Sequence, residues 1–156
     1  RMKELEQILN PTPEPEADGE AKAAARALSV LVIDDDQIVN ELICEFLTVE
    51  GYRVESAFDG LQAMRMFRPA EHDVVMTDVA MPLMNGWELI AALRVRAPEL
   101  PVVLITGYGS GNWNESYLQK QGVAAVLSKP LDLARMTGIL EEIARTKKQP
   151  AAPRRR

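Results

Sequence analysis

The stretch "SVLVIDDDQIVNEL" ends an apolar run in three successive acids, Asp34, Asp35 and Asp36. Farther along, Asp78 closes "VVMTD", Thr106 closes "VVLIT" and Lys129 follows "AAVLS". Carboxylates crowded together stay ionised only if a positive charge sits among them. A hard divalent cation bound by carboxylate, carbonyl and water oxygens supplies that charge, and Mg²⁺ typically takes a few protein carboxylates while keeping several waters. A hydroxyl and an ammonium converging on a carboxylate beside such an ion suit a phosphoryl group. Asp78 would then attack phosphorus as a carboxylate nucleophile, giving an acyl phosphate. The cation and Lys129 would neutralise the phosphoryl oxygens, and positioning would do most of the rest. Asp36, the weakest of the acids, is read as a first-turn residue of the helix that follows.

This chemistry requires residues far apart in sequence to meet, and the pattern between them says how. "SVLVI" reads as a fully buried strand, and Ile38, Val39, Leu42, Ile43, Phe46 and Leu47 follow as one helical stripe. Gly51 stops that helix, and "YRVESA" alternates as an edge strand would. Leu61, Met64, Met66 and Phe67 predict a short helix that ends near Pro69. "VVMT" is a second buried run, followed after "MPLMNG" by a helix carrying Trp87, Leu89, Ile90 and Leu93. Next come "VVLIT", a loop with Gly107, Gly109 and Gly111, and a helix with Trp113, Tyr117 and Leu118 closed by Gly122. "AAVLS" is the fifth strand, and Pro130 precedes a last helix with Leu133, Met136, Ile139, Leu140 and Ile143 inward.

Five strands each followed by a helix predict an α/β fold, a doubly wound parallel sheet covered on both faces. The single polar-alternating strand is the second, which puts it at an edge and favours the order 2-1-3-4-5. Ligands bind such sheets at the carboxyl ends of the strands, where the order reverses, here between strands one and three. All the residues singled out above end or follow strands and so face one rim.

The chain has 156 residues, enough for one domain with a proper core and some tail. A net charge of −5 argues against a protein whose main task is holding nucleic acid. No run is long and apolar enough for a membrane span and no signal peptide opens the chain, so a soluble, cytoplasmic protein is expected. Cys44 has no second cysteine to pair with and reads as packed, and His72, the only histidine, as a surface or boundary residue. Neither a zinc site nor a cysteine protease dyad is supported. Residues 1–27 read as a helical fragment (Met2, Leu5, Ile8, Leu9) and a Pro/acidic linker, 28–147 as the domain, and 148–156 as a basic disordered tail. The first residue is Arg1, so the chain is expected to be a piece of a longer product.

In order and spacing, "VLVIDDD", "DVVMTDVAMPLMNGWEL", "PVVLITG" and "VLSKPLD" resemble the receiver domain of two-component response regulators, a flavodoxin-like fold, from Ser29 to about Thr146. The resemblance implies a phosphorelay domain that takes a phosphoryl group from a histidine kinase or phosphotransfer protein onto Asp78. It implies Mg²⁺ held by Asp35, Asp78 and the backbone carbonyl of Ala80, with Asp34 acting through water. Thr106 would be the switch hydroxyl, Lys129 the phosphate partner, and the bond before Pro130 a cis peptide. Such a domain is no enzyme beyond its own phosphorylation and dephosphorylation. A homodimer through the face of the last strand and helices is a further expectation, with no nucleic-acid or membrane contact. Val126 stands where the family often has an aromatic residue, so output is expected to run differently through the surface after strand four, where Tyr108 and Trp113 contribute. The leading segment resembles the tether of a C-terminal receiver in a hybrid histidine kinase. The competing resemblance is to haloacid-dehalogenase-like phosphohydrolases, with Asp34 as nucleophile and Asp36 as acid, but of the further acids that family needs after its lysine only Asp132, Glu141 and Glu142 are left, on or near the last helix. A degenerate receiver that only docks a partner fits poorly with the intact acids, threonine and lysine.

Overall fold

The structure is a computed structural model and describes residues 17–107 and 114–148. Its elements are α1 (Ala17–Arg26), β1 (Ser29–Ile33), α2 (Gln37–Val49), β2 (Arg53–Ala57), α3 (Gly60–Met66), β3 (Val74–Asp78), α4 (Gly86–Arg96), β4 (Val102–Thr106), α5 (Glu115–Lys120), β5 (Val123–Ser128) and α6 (Leu133–Lys148). The five strands are parallel, in the order β2-β1-β3-β4-β5. The expected topology is therefore found, with the edge strand β2 half-exposed and β1, β3 and β4 almost entirely buried.

Alternate residues of the central strands serve two separate cores, because successive side chains of a strand point to opposite faces. Val30, Val32, Val74, Met76, Val103 and Ile105 pack with Ile43 and Leu47 of α2 and with Met136, Leu140 and Ile143 of α6. Leu31, Ile33, Val75, Val102 and Leu104 pack with Ala63 of α3 and with Leu89, Ile90 and Leu93 of α4. Burial on both faces is why these strands read as unbroken apolar runs.

Two expectations need correction. The linker read as far as residue 27 contains α1, and Ala24 and Leu28 belong to the α2/α6-side core. Alanine is the best helix former, and the short side chain of Ala24 fits in the same core as Ala144 of α6. His72 is not at the surface but buried, with Nδ1 accepting from the Arg68 N–H at 2.9 Å and its ring stacked on Phe67. The stripe on α2 is also narrower than its apolar residues imply: Asn40, Ile43 and Leu47 are buried, while Ile38 and Leu42 face outward. The expected helix at residues 2–9, Tyr108, Trp113 and the tail from residue 149 lie outside the described residues.

Candidate functional site

The register places Ile33 beside Thr77, and Asp78 beside Ile105, so the first acids and Asp78 emerge from neighbouring strands at the same end of the sheet. One carboxylate oxygen from each of Asp34, Asp35 and Asp78 lies within 4.8 Å of the others. Asp34 is fully buried and Asp78 nearly so, while Asp35 is exposed. The Asp34 carboxylate is oriented through Oδ1, which accepts from the Asp36 N–H at 2.9 Å. Asp78 Oδ1 accepts from its neighbour, the Val79 N–H, at 2.9 Å. Asp36 is turned away: its Oδ1 accepts from the Ile38 and Val39 N–H groups and caps α2, as an aspartate before a helix commonly does.

Lys129 supplies the positive charge. Its Nζ lies 3.0 Å from Asp34 Oδ2 and 3.6 Å from Asp78 Oδ2. Burial alone would lower the lysine's pKa, but the hydrogen bond and charge of Asp34, joined by those of Asp78, outweigh it and hold the ammonium above its ordinary value. Asp78 is pushed the other way from a freely ionised acid: burial first, then the charge of Asp34, raise its pKa despite Lys129 and the Val79 N–H. One lysine thus leaves the three carboxylates under-compensated. The donor set is all hard oxygen, which fits a cation such as Mg²⁺ better than a soft metal.

Thr106 ends β4, is buried, and accepts the Lys129 N–H on its backbone carbonyl at 2.8 Å. The Lys129–Pro130 peptide is cis. Ala80 follows Val79 at the exposed rim. Asp34, Asp35, Asp78 and Lys129 therefore meet at one mouth, Thr106 is tied to Lys129 through its backbone, and Asp36 stands apart.

Two supporting residues were missed. Asn40 is buried inside α2 and its Nδ2 donates to the carbonyls of Asp34 at 3.0 Å and Ala57 at 2.8 Å. Its signal was a lone polar residue in line with Ile43 and Leu47. Gly86 opens α4 so close to Asp78 that an added Cβ would stand 2.5 Å from the Asp78 carbonyl oxygen. The preceding Asn85 forms a capping box with Glu88, fixing where α4 begins.

The sequence profile of the response regulator receiver domain matches residues 30–141. The chain belongs to this family. It is 35% identical over 130 residues to the response regulator MprA of Mycobacterium tuberculosis, covering 81% of this chain and 55% of that protein. It is 34% identical over 117 residues to MprA of Mycobacterium avium, covering 72% of this chain and 51% of that one. The chain spans about half the length of these curated relatives. Among solved structures, a response regulator receiver domain from Clostridium thermocellum superposes with a TM-score of 0.71 at 27% identity, covering 78% of this chain and 97% of that one. The Vibrio cholerae chemotaxis protein CheY4 gives a TM-score of 0.67 at 28% identity, covering 74% and 98%. The chain is thus a receiver domain of two-component signalling, and receivers of response regulators accept phosphoryl groups from histidine kinases. The family match is to receivers, and Asp36, the acid the hydrolase alternative needs, caps α2 through Oδ1. No helix among the described residues is long and apolar enough to cross a membrane.

Proposed function

We propose that this receiver domain accepts a phosphoryl group on Asp78 with Mg²⁺ held by Asp34, Asp35, Asp78 and the Ala80 carbonyl, and that phosphorylation switches partner binding in the cytoplasm. The observation that carries the reading is the meeting of Asp34, Asp35, Asp78 and Lys129 at one mouth. An Asp78 carboxylate oxygen forms a bond to phosphorus as the bond to a donor imidazole nitrogen breaks, and the electron pair stays on that nitrogen, which takes up a proton. A bound cation would keep Asp78 ionised and offset charge on the phosphoryl oxygens. Lys129 moves from its carboxylate partners towards the phosphoryl group, and Thr106 donates its hydroxyl to it. Water later attacks phosphorus, releasing phosphate and restoring the carboxylate.

The donor, a histidine kinase or phosphotransfer protein, has an apolar rim to sit on. Ile38 and Leu42 lie one turn apart just after β1, Phe58 and Leu61 follow β2, and Leu83 follows β3, all exposed. Each follows the carboxyl end of β1, β2 or β3, which puts them on the side of the sheet where the mouth opens. Self-association would use the open β5 edge and the adjoining face of α6, and sedimentation over a concentration series tests it. A kinase core encoded directly upstream would make this the receiver of a hybrid sensor kinase, whereas a start codon near Met2 would exclude that arrangement.

The decisive experiment is incubation with acetyl phosphate and Mg²⁺ followed by intact mass. One added phosphoryl group is expected, absent after chelation and absent in Asp78→Asn. Labelling that persists in Asp78→Asn but disappears in Asp34→Asn would overturn the assignment in favour of hydrolase-type chemistry.

A further inference from the structure

Helix α2 carries a polar side chain where its packing calls for an apolar one. Asn40 is fully buried, in line with Ile43 and Leu47, which are both core residues. A buried amide that left its hydrogen bonds unmade would be costly, and here every partner is identifiable. Nδ2 donates to the Asp34 carbonyl at 3.0 Å and to the Ala57 carbonyl at 2.8 Å. Oδ1 accepts from the Cys44 thiol at 3.3 Å. Burial, the larger influence, pushes that thiol's pKa up, which keeps it protonated as a donor.

The partners decide what the amide does. Asp34 begins the turn between β1 and α2, which also holds Asp35, and Ala57 is the last residue of β2. The Asp34 N–H also donates to Ala57 O, at 3.2 Å. One carbonyl on β2 therefore receives both the backbone N–H of Asp34 and the side chain of Asn40. The amide ties the turn to the neighbouring strand and to the helix at once. Downstream in the same turn, the Asp36 N–H holds Asp34 Oδ1.

We infer that Asn40 is a positioning residue: it fixes the β1–α2 turn so that the Asp34 and Asp35 carboxylates are held towards Asp78 for a cation. This rests on the proposed role of those acids as the Mg²⁺ site. Precise placement of first ligands by hydrogen-bonded neighbours is general at metal centres, where losing such a neighbour typically weakens metal binding about 10–100-fold. Asn40 touches neither the carboxylates nor the reacting atoms and acts through the backbone.

The test is a Mg²⁺ titration of the full chain without phosphodonor, read by calorimetry. Asn40→Asp keeps the size and removes the donor, and Asn40→Leu keeps the bulk and removes all polarity. Leu140→Ala, in α6 and outside the turn, serves as a destabilised control. At a temperature where all are folded, affinity should fall at least tenfold in the Asn40 variants and stay within twofold of wild type in Leu140→Ala. Asn40 variants within twofold of wild type, or an equal loss in Leu140→Ala, would overturn the inference. A second measurement uses wild-type protein alone: Mg²⁺ should shift the Asn40 side-chain amide signals in a nitrogen–proton spectrum, and unmoved signals at saturating Mg²⁺ would count against it even if no variant folds. Wild-type protein that binds no Mg²⁺ sinks the functional reading instead, so the two failures are separable.

Discussion

Lys129 Nζ stands 3.0 Å from Asp34 Oδ2, an ion pair whose acid is wholly buried and whose lysine is only partly so. The ammonium faces Asp78 on its other side at 3.6 Å. It therefore competes with a cation for the same negative charge, even though both favour the same phosphorylated product.

That competition gives a sign. Removing the ammonium in Lys129→Ala leaves Asp34 and Asp78 with more uncompensated charge, so Mg²⁺ should bind at least as tightly as in wild type. The rate of phosphorylation by acetyl phosphate should nevertheless fall roughly tenfold or more, because a preorganised charge on the phosphoryl oxygens is lost. Calorimetric titration and time-resolved intact mass separate the two effects. Loss of Mg²⁺ binding in Lys129→Ala would contradict the geometry.

Asp78 yields a stability prediction. Its folded pKa is raised by burial and by Asp34, so the stability it contributes is fully present below its unfolded pKa and is lost as pH rises through the folded one. At neutral pH without Mg²⁺ the charged side chain is a burden on the fold. Asp78→Asn should then melt several degrees higher than wild type in chelator, each kcal/mol being worth ~4 °C in a domain of this size. Added Mg²⁺ should raise the wild type and leave the variant nearly unchanged. A variant that melts lower than wild type in chelator at neutral pH would refute the charge-crowding argument.

Two glycines make a matched pair. Gly86 has no room for a methyl group against the Asp78 carbonyl, at 2.5 Å from the added carbon, whereas nothing lies within 4 Å of one at Gly138 inside α6. Gly86→Ala should cost about 1–3 kcal/mol as overpacking and displace the acceptor strand's end, with phosphorylation impaired. Gly138→Ala should stabilise by about 0.5–1 kcal/mol through helix propensity alone. Urea melts of both variants, with acetyl phosphate labelling, check the contrast.

The sheet order and the convergence at its mouth were legible in sequence because both follow from strand hydrophobicity and from which residues end strands. Asp34, Asp78, Thr106 and Lys129 declared themselves by position. What stayed hidden depends on neighbours distant in sequence. The alanines of α1 carry little hydrophobic signal, and the burial of Ala24 in a core shared with Leu140 and Ala144 cannot be seen in an apparent linker's letters. His72 looked like a polar boundary residue, and its burial depends on Phe67 and on the Arg68 N–H. Asn40 was passed over because its partners are backbone carbonyls, which no residue letter reveals.

Trp87 and Tyr117 carry the last prediction. The residue before Trp87 is Gly86, which abuts the Asp78 carbonyl, and the Trp87 ring meets Tyr117 of α5 at 5.3 Å between centroids. Helix α5 has no fully buried residue; besides Tyr117, its Leu118 packs half-buried against the core on that face. With Val126 in place of an aromatic on β5, this ring contact is a short route from the acceptor to α5. In a Trp113→Phe background, where Trp87 is the sole tryptophan, phosphorylation with acetyl phosphate and Mg²⁺ should change the emission of Trp87. Tyr117→Ala should reduce that change by at least half while the phosphorylated mass is unaltered. An emission change of equal size with and without Tyr117 would show that the contact does not carry the signal to α5.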